Sequence, residues 1–226
     1  MNEIQTSEKK SKTYLFFILA ITLIIADQIT KLSVKGFDIF GLHHQGMGLG
    51  ESISVIGTFL QWTYVENSGM AFGITFGAGK IFLSLFSIIA GTALGYYLCK
   101  LDKFSVWVRL GVALIFAGAL GNLIDRVFYG VIFNEGPLFY GRVVDFIQFD
   151  IPDINLGFIY YTHFPVFNIA DSCVTCGVAL LLLFHKRIPT FDEVFRKDKF
   201  LNKSGAENLS LNESEIQKTE DEIQSQ

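Results

Sequence analysis

The chain has 226 residues, of which 50% are apolar, 15% aromatic and 18% charged, against about a quarter charged in an ordinary soluble domain. Residues 188–226 hold nine Asp/Glu and five Lys/Arg, so the net charge of −4 belongs to that tail and the preceding 187 residues balance. The absence of a basic surplus excludes a nucleic-acid binder, and three Cys cannot form the framework of a disulfide-stapled secreted module. A membrane protein with a polar tail remains.

A bilayer core takes about 20 mainly apolar residues per helix. Four segments meet that length: about 14–34, broken only by Asp27, Gln28 and Lys31; about 81–99, without charge; about 106–124, with Arg109 near its start; and about 164–184, containing Asp171. The first run exceeds the apolar core of a signal peptide and continues into Asp27-Gln28-Ile29-Thr30-Lys31 rather than into a small-residue cleavage site, so it is expected to stay. The spacing predicts an all-α, multi-pass membrane protein: a four-transmembrane-helix bundle carrying a small β or amphipathic subdomain on its outer surface. The expected parts are a cytoplasmic N-terminus at 1–13, a four-span domain at 14–187 and a cytoplasmic polar tail at 188–226, disordered beyond about 200.

Basic residues at span ends set the orientation. Lys9, Lys10 and Lys12 precede the first span, Lys100, Lys103 and Arg109 flank the turn between the second and third, and Lys186 and Arg187 follow the fourth. The connections 35–80 and 127–163 carry only Lys35, Lys80 and Arg142. Both termini are therefore expected in the cytoplasm and both long loops outside. Small residues recur every four positions on the second span (Ser87, Gly91, Gly95) and the third (Ala113, Ala117, Gly121), which predicts close helix packing. In the first loop, 36–50 reads as an irregular Gly-rich stretch, and Ile53 to Val65 as short strands in which Leu60, Trp62 and Tyr64 alternate with Gln61, Thr63 and Val65. The second loop is aromatic-rich and is expected at the membrane interface.

Ionisable groups inside a span are costly and point to function. At roughly 1.5 Å per helical residue, Asp27 lies in the outer half of the first span, Asn122, Asp125 and Arg126 close the third, and Asn168 and Asp171 open the fourth. Asn67 ends the strand region, and Asp145 sits among apolar neighbours in Val143-Val144-Asp145-Phe146. Acids and amides from separate stretches thus converge on one level. Asp27–Lys31 and Asp125–Arg126 also read as internal ion pairs. Asp145 and Asp171 have no helix-local basic partner, Arg142 apart. Two carboxylates in a partly apolar site share one proton, and such a pair binds and deprotonates a water for attack on a carbonyl.

Five blocks in order, Asp27-Gln28-Ile29-Thr30-Lys31, Asn67-Ser68-Gly69-Met70-Ala71-Phe72, Gly121-Asn122-Leu123-Ile124-Asp125-Arg126, Val143-Val144-Asp145-Phe146 and Phe167-Asn168-Ile169-Ala170-Asp171, resemble the lipoprotein signal peptidases (signal peptidase II) of bacterial inner membranes. The resemblance covers about residues 14–186. It implies an aspartyl endopeptidase that cuts diacylglyceryl-modified prolipoproteins before the lipidated Cys, with Asp145 and Asp171 as the catalytic pair. Asp27, Lys31, Asn67, Asn122, Asp125, Arg126 and Asn168 map onto supporting, substrate-binding positions. Asp125 is the second choice for catalysis, with the adjacent Arg126 expected to keep it ionised as a scaffold. The implied setting is the bacterial cytoplasmic membrane, with the site near the periplasmic face, membrane lipid and prolipoproteins as partners, inhibition by globomycin-type peptides, a monomeric state, and no metal or cofactor. The stretches 126–141 and 146–164 are longer than the family minimum. Trp62 and its aromatic neighbours are expected to cover the site, and Asn67 to bond substrate backbone.

Other readings carry less. Cys173-Val174-Thr175-Cys176 has metal-like spacing but lies within a span without a second ligand pair, so these Cys are read as packing. His43, His44 and His163 are read as interface residues. Ser68 with Lys31 would make a serine–lysine peptidase, but Ser68 occupies a turn-like Asn-Ser-Gly. A small proton-coupled transporter or channel would need acids in the inner half of the spans, and there are none.

Overall fold

The computed structural model describes residues 12–39, 41–69, 77–155 and 160–195. They fall into two compact units, one ending at His185 and one beginning at Lys186. Helix α1 (Tyr14–Lys35) is followed by strands β1 (Phe37–Ile39), β2 (Leu42–His44), β3 (Ser52–Ile56) and β4 (Leu60–Asn67). Helices α2 (Gly77–Lys100) and α3 (Val106–Ile124) come next, then β5 (Val143–Asn155), β6 (Tyr160–His163) and α4 (Ile169–Leu183). Three helical stretches, Tyr14–Lys35, Ile81–Lys100 and Val106–Ile132, are long and apolar enough to cross a membrane. With 15 residues, α4 is apolar but shorter than the span expected at 164–184. The reason is local: Phe164-Pro165-Val166-Phe167 runs extended into the helix, and Asn168 is the N-cap.

Three other expectations need correction. The third span does not end at Ile124. It continues through a π-helical segment, Asp125–Tyr129, and a last turn, Gly130–Ile132, because Asp125 is buried and paired with Lys31 rather than exposed. The loop 36–50 is not wholly irregular, since β1 and β2 form an antiparallel ribbon with Phe37 opposite His44. The all-α class also understates the sheet content: β3-β4-β5-β6 form a four-stranded antiparallel sheet, and half of it comes from the second loop.

Helix α3 is central and packs on α1, α2 and α4. The small-residue stripes do not face each other. Gly91 and Gly95 on α2 receive the side chains of Leu120 and Phe116, whereas Gly121 is filled by Asp27 and Ala170, and Gly118 by Ala170 and Val174. At Gly118 an added Cβ would stand 2.2 Å from the Ala170 carbonyl oxygen, so only glycine allows that approach. The sheet packs on the C-terminal ends of α1 and α3 through a core of Val34, Tyr64, Tyr129, Val144 and Phe146.

The second unit holds a short helical turn at 191–195. Thr190 N–H donates to Glu193 Oε2 at 2.7 Å, and Glu193 N–H returns a bond to Thr190 Oγ1, a capping box. The expectation for the tail beyond about 200, like the lysines at 9 and 10, lies outside the described residues.

Candidate active site

Three elements deliver the two unpartnered acids and their neighbours. Strand β5 carries Asp145, and its backbone pairs with the extended residues that lead into α4: Ile147 N–H donates to Phe167 O at 2.7 Å and Phe167 N–H to Ile147 O at 3.0 Å. The pairing sets Asp145 beside the start of α4, one residue before the cap. There Asn168 and Asp171 form a reciprocal capping box: Asp171 N–H donates to Asn168 Oδ1 at 2.9 Å, and Asn168 N–H to Asp171 Oδ2 at 3.3 Å. From α3, Asn122 Nδ2 donates to Asp171 Oδ1 at 2.7 Å.

Asn168 joins the two acids. Its amide donates to Asp145 Oδ1 at 2.7 Å and to Asn122 Oδ1 at 3.1 Å, and it approaches Val144 O at 3.3 Å. Asp145 therefore hangs on Asn168, Asp171 on Asn122, and the two amides on each other. Asp145 is buried and Asp171 is partly open. Burial first, and then the charge of Asp171, push the Asp145 carboxyl up to about 7, against the hydrogen bonds from Asn67 and Asn168. Asp171 borders a cavity of 530 Å³ that is otherwise lined by Phe59, Phe149, Phe164, Phe167, Ser172, Thr175 and Cys176. One carboxyl edge thus faces an apolar chamber of small-ligand size.

Behind the acids lies a buried ionic core. Lys31 Nζ contacts Asp27 Oδ2 and Asp125 Oδ2, each at 2.8 Å, and donates to Asn122 Oδ1 at 3.0 Å. All three donors of the ammonium are occupied, which is how a fully buried Lys is tolerated. The Asp27–Lys31 pair expected from spacing is present, but Asp125 is paired with Lys31 from α1 instead of Arg126. Adjacent helical residues point about 100° apart, so Arg126 cannot share the face of Asp125. Arg126 makes no hydrogen bond or ion pair among the described residues, yet it lies within electrostatic reach of Asp125, Asp145 and Asp171. Asp27 Oδ1 also accepts from Ala170 N–H at 2.9 Å, so α1 grips the first turn of α4.

Asn67, at the end of β4, accepts from Gly69 N–H at 2.9 Å through Oδ1, and its side chain favours the ionised form of Asp145. The Trp62 ring packs edge-to-face on Phe146 at 5.6 Å, against the sheet core, and the aromatics that border the cavity at Asp171 are the four Phe already named. Arg142 is drawn away from Asp145 to Glu66 at 3.0 Å. Of the two Cys, Cys173 is buried and Cys176 lines the cavity. His44 Nε2 lies 3.0 Å from Ser33 O and His43 lies 3.8 Å from Asp38, while the His163 side chain is outside the described residues. Among the described residues no group of three or more His, Cys, Asp or Glu is arranged to hold a metal.

Reading the sequence alone passes over Gln28, whose amide donates to Asp125 Oδ1 at 2.9 Å and Gly121 O at 3.1 Å and accepts from Tyr129 Oη at 3.1 Å. The available signal was its place, a neutral amide beside Asp27 within a span.

Residues 19–186 match the family described as signal peptidase (SPase) II. A lipoprotein signal peptidase of Chlorobaculum tepidum is 38% identical over 178 residues, covering 78% of this chain and 96% of that relative. One of Porphyromonas gingivalis is 36% identical over 197 residues, covering 75% of this chain and 81% of the relative. A solved bacterial membrane enzyme, determined by the in meso method at 1.9 Å, superposes with a TM-score of 0.56 at 35% identity, over 75% of this chain and 91% of its own. The chain belongs to the signal peptidase II family of bacterial membrane peptidases.

Proposed function

We propose that this chain is an aspartyl endopeptidase that removes signal peptides from diacylglyceryl-modified prolipoproteins, cutting just before the lipidated Cys. The observation that carries the reading is the Asp145–Asn168–Asn122–Asp171 chain of hydrogen bonds at the rim of an apolar cavity. The family and the names of its relatives supply the substrate class. The four apolar helices are taken as spans, with both termini in the cytoplasm and the β sheet and dyad toward the periplasmic face of the inner membrane.

In this mechanism Asp145 starts protonated and Asp171 ionised. A water held between them gives a proton to Asp171 as its oxygen attacks the scissile carbonyl carbon, while Asp145 protonates the carbonyl oxygen. The tetrahedral intermediate collapses as Asp171 returns its proton to the Cys nitrogen. The C–N bond breaks, and a hydroxyl proton of the intermediate restores Asp145. Asn122 and Asn168 hold the carboxyls in place, and Lys31, Asp27 and Asp125 form the rigid base under Asn122. Arg126, which makes no hydrogen bond or ion pair among the described residues, binds a substrate carbonyl. The four Phe of the cavity take an apolar part of the substrate, whose modified Cys is held at this level by its acyl chains. A serine–lysine mechanism is disfavoured because Lys31 is enclosed by two carboxylates and an amide and has no lone pair to offer.

The test is cleavage of a diacylglyceryl-modified prolipoprotein peptide by purified wild type, Asp145→Asn, Asp171→Asn and Ser68→Ala. Folded Asn variants should lose cleavage by about 10³-fold or more, and Ser68→Ala should keep it. A dead Ser68→Ala beside an active Asn variant overturns the dyad.

A further inference from the structure

We propose that Glu66 is a positioning residue for the dyad: gripped by Lys35 and Arg142, it fixes the end of β4 so that Asn67 is held on the face of Asp145. The proposal rests on the aspartyl reading above and deepens it.

Side chains alternate along a strand, and directly paired residues share a face. Val65 pairs with Asp145, Glu66 with Val144 and Asn67 with Val143. Asn67 therefore shares the face of Asp145, and Glu66 points to the opposite face. The pairing is irregular between Trp62 and Val65, so only the last three residues of β4 set Asn67 against Asp145. A slip of one residue would turn Asn67 to the wrong face. Backbone pairing over so short a stretch specifies register weakly, and a side-chain anchor within it decides the matter.

Glu66 has that anchor. Its Oε1 accepts from Lys35 Nζ and from Tyr64 Oη at 2.6 Å, and its Oε2 accepts from Arg142 Nη1 at 3.0 Å. Lys35 also pairs with Glu135, lies 3.3 Å from Tyr64 Oη and stands over the Phe133 ring at 4.6 Å. The charged and titratable groups around Glu66 thus come from the end of α1 (Lys35), its own strand (Tyr64), the turn after α3 (Glu135) and the approach to β5 (Arg142). Lys35 and Glu66 side chains are only 6% and 8% exposed, so the pair is hard to rearrange once formed. Two cations and two anions close the cluster electrically. Its influence on the dyad is therefore through geometry, and it acts at the residue before Asn67 and three residues before Asp145.

The test uses the full chain in detergent micelles with a diacylglyceryl-modified prolipoprotein peptide, comparing Glu66→Gln, Asn67→Ala, the double variant, Arg142→Gln and Asp145→Asn. Glu66→Gln should lower kcat roughly 10- to 100-fold with KM unchanged, and the double variant should be no slower than Asn67→Ala alone. The alkaline limb of the kcat profile should move to higher pH in both single variants, because each frees Asp145 from the amide that favours its ionised form. Arg142→Gln removes the half-exposed partner, should still fold, and should show the same changes at smaller size. Additive losses, or a limb that stays in place, would leave Glu66 with a purely structural role and overturn the proposal. If Asp145→Asn is dead and Glu66→Gln behaves as wild type, only the positioning role falls. If Asp145→Asn still cuts, the dyad itself fails and the role of Glu66 with it.

Discussion

Asp145 and Asp171 differ in what surrounds them, and the roles proposed for them rest on that difference. Asp145 is buried and lies against the charge of Asp171, and both effects disfavour its ionised form, so its carboxyl rises to about 7. Asp171 opens on the cavity and is bonded by Asn122 and by the Asn168 backbone N–H, donors that suit a carboxylate. The sign of the pH dependence follows. A raised pKa keeps the proton on Asp145 below about 7, where the proposed mechanism uses it as the acid, and the proton is lost as pH rises through that value. We expect kcat for peptide cleavage to be highest on the acid side and to fall above about pH 7. A rate that stays level from about pH 6 to 9 would show that Asp145 does not act as the acid.

At the level of elements, the close approach of α3 to α4 is what holds Asn122 against Asp171. Gly118→Ala would put a methyl against the Ala170 carbonyl and within 3.1 Å of Val174 N, both backbone atoms, so α4 must move. Gly95→Ala meets only the edge of the Phe116 ring at 3.1 Å, which can turn. Gly118→Ala should therefore cost about 1–3 kcal/mol in thermal unfolding in micelles and should depress cleavage, while Gly95→Ala should do neither; equal effects would refute this account. The same elements show what the sequence made legible. The helices were visible as apolar runs, and β4 as a β-branched and aromatic stretch. The extension of α3 was not, because Asp125-Arg126 looks like a span end until Lys31, ninety-four positions earlier, is known to neutralise Asp125. Strand β5 was hidden for a similar reason. Val143-Val144-Asp145-Phe146 has no alternation, since residues 143–146 are all buried, and periodicity cannot report a strand covered on both faces. The candidate site residues were legible as polar groups expected at a common depth. Their partners were not, because Asn168–Asp145 and Lys31–Asp125 are long-range contacts that spacing does not encode.

For the molecule as a whole, the large exposed apolar side chains on the three long helices, such as Ile18, Ile25, Phe82, Phe86 and Ile89, have no place in water and suit a lipid surround. Orientation in that bilayer comes from charge. Lys100 and Lys103 flank the α2–α3 turn, where Asp102 accepts a hydrogen bond from Thr13 at 3.2 Å, at the start of α1, so the N-terminal end of α1 and this turn occupy one side. The sheet lies at the opposite ends of α1 and α3, in a region with few basic residues. Retention of Lys and Arg on the cytoplasmic side would put the turn inside and the sheet outside, on the side proposed above for the lipidated prolipoprotein substrate. In a chain with Cys99, Cys173 and Cys176 replaced by Ser, Ser54→Cys on exposed β3 should react with a membrane-impermeant thiol reagent in intact spheroplasts. Lys103→Cys, equally exposed, should react only after the membrane is opened. The opposite pattern would invert the topology and separate the dyad from the leaflet in which its proposed substrate lies.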